Sequence, residues 1–248
     1  MRLKGKVAII TGTSPNIGGG IAEALAAEGA SIMCVDSDAA NATDCARYIE
    51  KSGGKAIGRQ CNVLDEEQVK EVVRETVRAF GKVNVLVNGA VKYNMKGLLT
   101  MPMSEFREQV DLILTGAFVF TKHTAQAMID GKERGSIIHL ASTEAHQGNP
   151  QNVAYCTAKA GILNMARANA MELVQYGIRV NSLTPTATDP TESVDRAERW
   201  GRPRWDITNH LALKRGKLLP TGKPPSPSDY GYAAIYLPSD GWSFVSGA

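Results

Sequence analysis

The stretch "TGTSPNIGGG", Thr11 to Gly20, follows an apolar run and precedes a segment of helical spacing. The apolar run, Val7–Thr11, predicts a short buried strand, and Ile17–Glu28 predicts a helix that stops at Gly29. A strand, a glycine turn and a helix in that order leave backbone N–H groups free at a helix N-terminus, where a pyrophosphate binds. Gly12 suits the tight turn, and Gly18 suits close approach of the helix to a phosphate. Ser14 and Ile17 complete the expected contacts of this loop. Asn16 stands where such loops usually carry a middle glycine. Asparagine tolerates left-handed backbone angles better than most residues, so Asn16 is expected to adopt them and keep the turn. The competing reading is a plain strand–helix turn.

Asp36 favours the nucleotide reading. It follows the second predicted strand, Ser31–Val35, at the place where a carboxylate accepts from adenosine ribose hydroxyls and repels a 2′-phosphate. No Arg or Lys lies between Thr11 and Ile21 to offset that repulsion. NAD is therefore expected over NADP. Asn62, with Val63 after the third predicted strand, is placed to hydrogen-bond adenine.

Further along, strand-like and helix-like stretches alternate. Helices are expected over Ala39–Lys51, Asp65–Phe80, Ser104–Ile129 and Asn152–Gln175. Strands are expected over Lys55–Gln60, Val83–Val87, Ser136–Ala141 and Ile178–Leu183. The alternation implies parallel pairing through right-handed crossovers, and two βαβαβ halves give an α/β fold with a doubly wound, Rossmann-type sheet. One domain is expected to span residues 1–248. Residues 186–228 are rich in proline, arginine and tryptophan with weak periodicity, and read as a variable lid. Asp229–Leu237 suits a short helix, and one more strand would begin where the sequence reaches Gly247-Ala248.

Bulk composition narrows the classes of function. A net charge of +3 over 248 residues implies no general attraction to nucleic acid or membrane. The basic run Lys214–Lys223 lacks interleaved aromatics and adds little to a nucleic-acid reading. Cys34, Cys45, Cys61 and Cys156 show no paired spacing, so reduced thiols in a cytoplasmic protein are expected, with no metal site. No apolar run is long enough for a membrane span or a signal peptide.

The chemistry is expected around "YCTAK", which places Tyr155 and Lys159 four apart on one helix face. Ser142 ends the fifth strand, and strand C-terminal ends are where a parallel α/β sheet puts its ligand. A tyrosine near pKa 10 is a poor base. A neighbouring Lys159 ammonium and an oxidised nicotinamide would both favour its phenolate. Tyr155 could then take a proton from an alcohol, with Ser142 hydrogen-bonded to the same oxygen. An exposed Tyr/Lys pair and a strand-end serine cap are the structural alternatives.

These features together resemble the short-chain dehydrogenase/reductase family, over Lys6 to Gly247. The resemblance rests on the Thr11–Gly18 loop, "VLVNGA" (Val85–Ala90), Ser142 with Tyr155-x-x-x-Lys159, and "GIRVNSLTP" (Gly177–Pro185). It implies that Ser142 polarises the substrate oxygen and that Tyr155 is the acid/base. Lys159 would lower the tyrosine pKa and hold the nicotinamide ribose. Asn88, Gly89 and Ala90 would support the central strand and the cofactor, with Pro185 and Thr188 completing the nicotinamide end. A homotetramer or dimer through the two long helices would be the assembly.

The sequence departs from the family pattern at several points. Val91 adds bulk where the family keeps a glycine, and Thr186 replaces the glycine after Pro185. Ile113 stands at the family's fourth catalytic position, an asparagine that anchors a water leading from the lysine. Isoleucine keeps a backbone carbonyl but not the side-chain hydrogen bonds expected to support the helix distortion there.

The resulting expectation is an NAD-dependent oxidoreductase interconverting a secondary alcohol and a ketone. Two alternatives stand beside it: a catalytically impaired NAD-binding or sensing relative, and a lyase or epimerase that keeps its NAD. Arg196, Arg199, Arg202 and Arg204 with Trp200 and Trp205 suggest a lid for an anionic or aromatic substrate, against a solvated lid or a subunit contact. His146 and Gln147 are expected near the pocket, Glu144 at it or on the surface, and His139 packed inside the strand.

Overall fold

Val7–Thr11 (β1) is buried along its whole length, as a strand must be when helices cover both faces of its sheet. The computed structural model describes residues 1–248. β1 leads through the glycine turn into α1 (Ile17–Ala27), then β2 (Ser31–Asp36), α2 (Ala39–Lys51), β3 (Lys55–Gln60) and α3 (Glu66–Phe80). The second half runs β4 (Val85–Asn88), α4 (Met103–Val110), α5 (Gly116–Asp130), β5 (Gly135–Leu140), α6 (Val153–Leu173) and β6 (Ile178–Leu183). After β6 come α7 (Pro190–Arg199), α8 (Leu211–Gly216) and α9 (Pro227–Tyr236).

All six strands are parallel, in the order β3-β2-β1-β4-β5-β6. The chain leaves β1 in one direction for β2 and β3, then returns to the other side of β1 with β4. The topological switch point therefore lies between β1 and β4, where Thr11 pairs with Asn88, and such a point opens a crevice at the strands' C-terminal ends. Backbone of the last residues continues the edge beyond β6: the Gly247 amide donates to the Val180 carbonyl and the Ser182 amide to that of Ala248.

Alternate strand residues feed two cores. Ala8, Ile10, Ile32 and Cys34 pack with Ile21, Leu25 and Ile49 under α1, α2 and α9. Ile9, Met33 and Leu86 pack with Val69, Phe120, Met128 and Ala170 under α3, α5 and α6. All four cysteines are free thiols, and no helix is long and apolar enough to cross a membrane.

Three features depart from the sequence expectations. The long helix expected over Ser104–Ile129 is not uniform: between α4 and α5 the residues Asp111–Thr115 form a π turn, with the Gly116 amide donating to the Asp111 carbonyl. The distortion is present although Ile113 offers no side-chain hydrogen bond. Ile113 is buried against Ala141, Ala158 and Ile162, so apolar packing accompanies the turn where side-chain hydrogen bonds were expected to be needed.

The segment after Pro185 is the second difference, since it contains real helices. Asp189 caps α7 through the Thr191 amide with Pro190 at the first helical position, a start signal that weak periodicity obscured. α9 begins two residues earlier than expected, because Ser226 and Asp229 form a reciprocal capping box.

The glycine turn is the third. Gly12 takes the left-handed angle, at φ 76°. Asn16 does not: it sits at φ −91° and ψ −141° as the N-cap of α1. The turn needs only one left-handed residue, so asparagine at 16 carries no conformational penalty. What the loop does require is absence of side chain at 18, where a Cβ would lie 2.0 Å from the Gly12 carbonyl oxygen. Gly18→Ala is therefore expected to cost about 1–3 kcal/mol, as overpacking does, with Tm falling roughly 2–4 °C per kcal/mol at this chain length. Thermal denaturation checks this, and an unchanged Tm would mean that α1 does not start against Gly12.

Candidate active site

The crevice at the switch point holds a cleft of about 340 Å³. Of the residues expected from sequence, Gly12, Ser14, Asn16, Ile17, Gly18, Gly89, Ser142, Tyr155, Lys159, Pro185 and Thr188 all line it. They arrive from several separate elements. The β1–α1 turn supplies the glycines, the end of β5 supplies Ser142, one face of α6 supplies Tyr155 and Lys159, and the chain after β6 supplies Pro185. Parallel strands ending together at one edge bring them to the same place.

The loop end of the cleft is rich in unused donors. The amides of Ser14, Asn16, Ile17 and Gly18 donate to no group of the chain, and the Asn16 side chain does not cap the helix. Gly12 is packed so that a Cβ would lie 2.7 Å from the Gly89 oxygen. Bare backbone and a helix N-terminus therefore face the cleft together.

At the neighbouring strand ends, Asp36 is only 9% exposed. Its Oδ1 accepts from the Asp38 amide at 3.0 Å and from Asn41 Nδ2 at 3.2 Å, while Oδ2 takes no donor from the chain. Burial pushes its carboxyl pKa up, a rise that these hydrogen bonds oppose. Asn62 Oδ1 accepts from the Leu64 amide, leaving its amide nitrogen free. Val63 is buried against Gly116, so only its backbone is available to a ligand. Arg202, expected in a substrate lid, instead stands at this end: it donates to Asp44 at 2.8 Å and Asn41 at 2.6 Å and helps hold the Asp36 charge.

At the other end, Ser142 Oγ accepts from the Glu144 amide at 3.1 Å, so it caps the following turn as well as facing the cleft. Burial pushes the Tyr155 hydroxyl pKa up to about 12, opposed by hydrogen bonding with Ser142 and reinforced by the Glu144 charge. This reverses the expected direction. Lys159 is 4% exposed, donates to the Leu140 carbonyl, and lies 5.7 Å from the centre of the Tyr155 ring. Burial brings its own pKa down to about 8. In this arrangement desolvation of the phenol outweighs the ammonium.

Beneath Lys159 a cavity of about 10 Å³ is lined by Asn88, Ala90 and Ile113 among others, near the lower limit for one water. Asn88 donates to Thr121 Oγ1 at 3.0 Å and lies 3.2 Å from His139 Nδ1, while its Oδ1 has no partner in the chain. His139 is fully buried, as the sequence reading expected.

The substrate side differs from expectation. His146 and Gln147 are exposed and do not line the cleft. The arginines of the lid turn away from it. Arg196 is 1% exposed and pairs with Glu23 and Glu192, and it donates to the Pro15 carbonyl. Arg199 reaches Glu23, Arg204 reaches Asp195 and Glu198, and Trp200 donates to Glu23 at 3.0 Å. Through Glu23 these residues fasten α7 to α1, Arg202 ties the following chain to α2 through Asp44, and Arg204 pairs only with acids of α7 itself. Glu144 does face the cleft, as do Val91, Thr186 and the unanticipated Tyr93, His210 and Arg215. The Thr186 amide donates to the Tyr230 hydroxyl at 3.0 Å. Tyr93 was findable, since it follows β4 at the carboxyl edge of the sheet; nothing local marks Arg215.

Comparisons with known proteins agree with this geometry. Residues 6–201 match the model of the family described as short chain dehydrogenase. The chain is 33% identical over 247 residues to a D-threitol dehydrogenase of Mycolicibacterium smegmatis, covering 100% of this chain and 91% of that one. It is 32% identical to a galactitol 2-dehydrogenase of Agrobacterium fabrum, with coverage of 96% and 92%. Among solved structures, an NAD+-bound xylitol dehydrogenase superposes with a TM-score of 0.88 at 27% identity, covering 100% of this chain and 97% of that chain. The chain belongs to the short-chain dehydrogenase family, and its class is that of an oxidoreductase.

Buried His139 generates a stability prediction. Burial, aided by Lys159, brings its pKa from 6.5 down to about 4. The unfolded chain takes up this proton below about 6.5, whereas the folded chain resists until about 4. Stability from this group is thus complete above pH 6.5 and is lost as pH falls toward 4, by up to roughly 3 kcal/mol. Denaturant unfolding between pH 7 and 4.5 should show a shallower loss in His139→Asn than in the parent; equal slopes would refute the assignment.

Proposed function

We propose that this chain is an NAD(H)-dependent oxidoreductase that interconverts a secondary alcohol and a ketone. The observation that carries the reading is the meeting of Ser142, Tyr155 and Lys159 with the bare amides of the glycine turn in one cleft. Gly12, Ser14, Asn16, Ile17 and Gly18 would hold the pyrophosphate by backbone. Asp36 would accept from the adenosine ribose through its unused Oδ2, Asn62 and Val63 would meet the adenine, and Asn88, Gly89, Ala90, Pro185 and Thr188 would shape the nicotinamide end. The Asp36 carboxylate would repel a 2′-phosphate on that ribose, and Arg202 is already engaged by Asp44 and Asn41, which favours NAD over NADP. The xylitol dehydrogenase of similar fold was solved with NAD+ bound.

When bound, the nicotinamide would supply the hydride acceptor. The residues of the chain handle the proton. Ser142 Oγ donates to the substrate oxygen, fixing it against Tyr155. Tyr155 takes the hydroxyl proton on oxidation and returns it on reduction. With its pKa near 12 in the ligand-free cleft, the phenol needs added positive charge to ionise, and Lys159 stands ready as a buried ammonium. Lys159 would also donate to the nicotinamide ribose once released from the Leu140 carbonyl. The polyols named for two of the relatives make a polyhydroxylated alcohol the first substrate class to test.

Fluorescence titration is expected to give tighter binding of NADH than NADPH. A panel of secondary alcohols with NAD is expected to give NADH absorbance, falling about 10²–10⁴-fold in Tyr155→Phe, the range for losing a general acid/base, with NADH binding retained. Tight NADH binding with no turnover on the panel would instead favour a binding-only role, and absence of binding would end the proposal.

We further propose assembly as a homotetramer or dimer through α5 and α6, because these helices expose Phe118 and Met171, at 51% and 80%. Sedimentation velocity should give more than one chain per particle, and Met171→Glu should lower that number; a monomeric parent would sink this assembly.

A further inference from the structure

The two halves of the lid are attached very differently. Up to Arg204 it is bound to α1, α2 and its own acids by the arginines described above. Residues 205–223 include α8 and supply His210, Leu211, Ala212 and Arg215 to the cleft. The hydrogen bonds of this segment to the rest of the chain run through Arg215, whose Nη1 donates to Glu144 Oε1 at 3.2 Å and whose guanidinium also interacts with the Tyr93 hydroxyl.

Glu144 is well placed to hold that bond. Its side chain is 12% exposed. Oε1 also accepts from Asn149 Nδ2, and Oε2 accepts from Asn152 Nδ2, with the Cys156 thiol 3.8 Å away. Asn152, fully buried, stands at the start of the helix that carries Tyr155 and turns its side chain to Glu144 and Tyr93 rather than to the helix amides. The carboxylate is therefore committed, and has little capacity left for a ligand. Arg215 is not, because a guanidinium has five N–H donors and engages only Glu144 and the Tyr93 hydroxyl here, leaving further donors free. The Tyr93 hydroxyl beside it accepts from Asn152 Nδ2 at 3.0 Å and keeps its own hydrogen free. The Tyr93 ring meets that of Tyr155 edge-on at 5.0 Å. This corner of the cleft thus offers donors, while the Glu144 charge cancels that of Arg215 and weakens any attraction for an anion.

We propose that Arg215, held by Glu144, is a specificity-determining residue that donates to a second, uncharged oxygen of the substrate. The enzyme then favours a diol or polyol over a mono-alcohol of the same carbon skeleton, and the same bond latches residues 205–223 over the cleft. The inference rests on the alcohol-oxidising reading above.

The test compares kcat/KM for butane-1,2,3,4-tetrol and hexitols with that for butan-2-ol and hexan-2-ol, using the full chain and NAD. The ratio of polyol to mono-alcohol is expected to favour polyol and to fall about 10–100-fold in Arg215→Met, the loss of a hydrogen bond from a charged donor. Most of that fall should be in KM, and Arg215→Lys should recover part of it. A parent without polyol preference, or a ratio unchanged within about twofold, overturns the proposal. If the parent oxidises no alcohol, the functional reading fails by itself, and thermolysin cleavage still decides the latch. Cleavage within 205–223 should be about tenfold faster in Arg215→Met and in Glu144→Gln than in the parent, whereas equal rates overturn the latch.

Discussion

The approach of α1 to β1 is the constraint on which the rest of the molecule depends. Gly18 lies against the Gly12 carbonyl so closely that no Cβ fits. That contact sets where α1 begins and therefore leaves the amides of residues 14 and 16–18 without partners inside the chain. It also fixes the mouth of the crevice, since Gly12 is in turn packed on Gly89 at the end of β4. Strand order, turn and crevice are one arrangement: β4 can lie beside β1 only if nothing projects from the turn between them.

Much of this arrangement was legible locally. β1, α2, β3 and β6 fall at the boundaries that hydrophobic spacing predicts, because each is bracketed by glycine, acid or loop residues that act within a few positions. Asn16 was misread for an instructive reason. A glycine is usual at position 16, which suggested that the turn needs left-handed angles there as well, whereas only position 12 uses positive φ and position 18 answers a steric need. Position 16 answers neither, so asparagine stands there without left-handed geometry.

The lid was illegible for a different reason. Arg196 is held by Glu23 and by the carbonyl of Pro15, partners about 180 positions earlier in the chain. No periodicity encodes such a pairing, and a cluster of arginines next to tryptophans read equally well as a ligand site. The same holds for Arg202 beside Asp36 and for Arg215 on Glu144. Protonation was only half legible: the sequence placed an ammonium four residues from a phenol, but the depth of burial that raises the phenol pKa belongs to the packed structure.

The π turn at Asp111–Thr115 has a consequence for how the helix that contains it reads in the sequence. α4 buries Gln109, whose side chain donates to the Asn94 carbonyl at 2.8 Å, while α5 buries Phe120, Thr124 and Met128 on the sheet. Gln109 and Phe120 are eleven residues apart, about three turns of a uniform α-helix, so by count alone they share a face. The buried positions Gln109, Ile113, Ala117, Phe120, Thr124 and Met128 keep steps of three or four through the turn, so the distortion leaves no break in the hydrophobic period and the sequence reads as one helix from end to end.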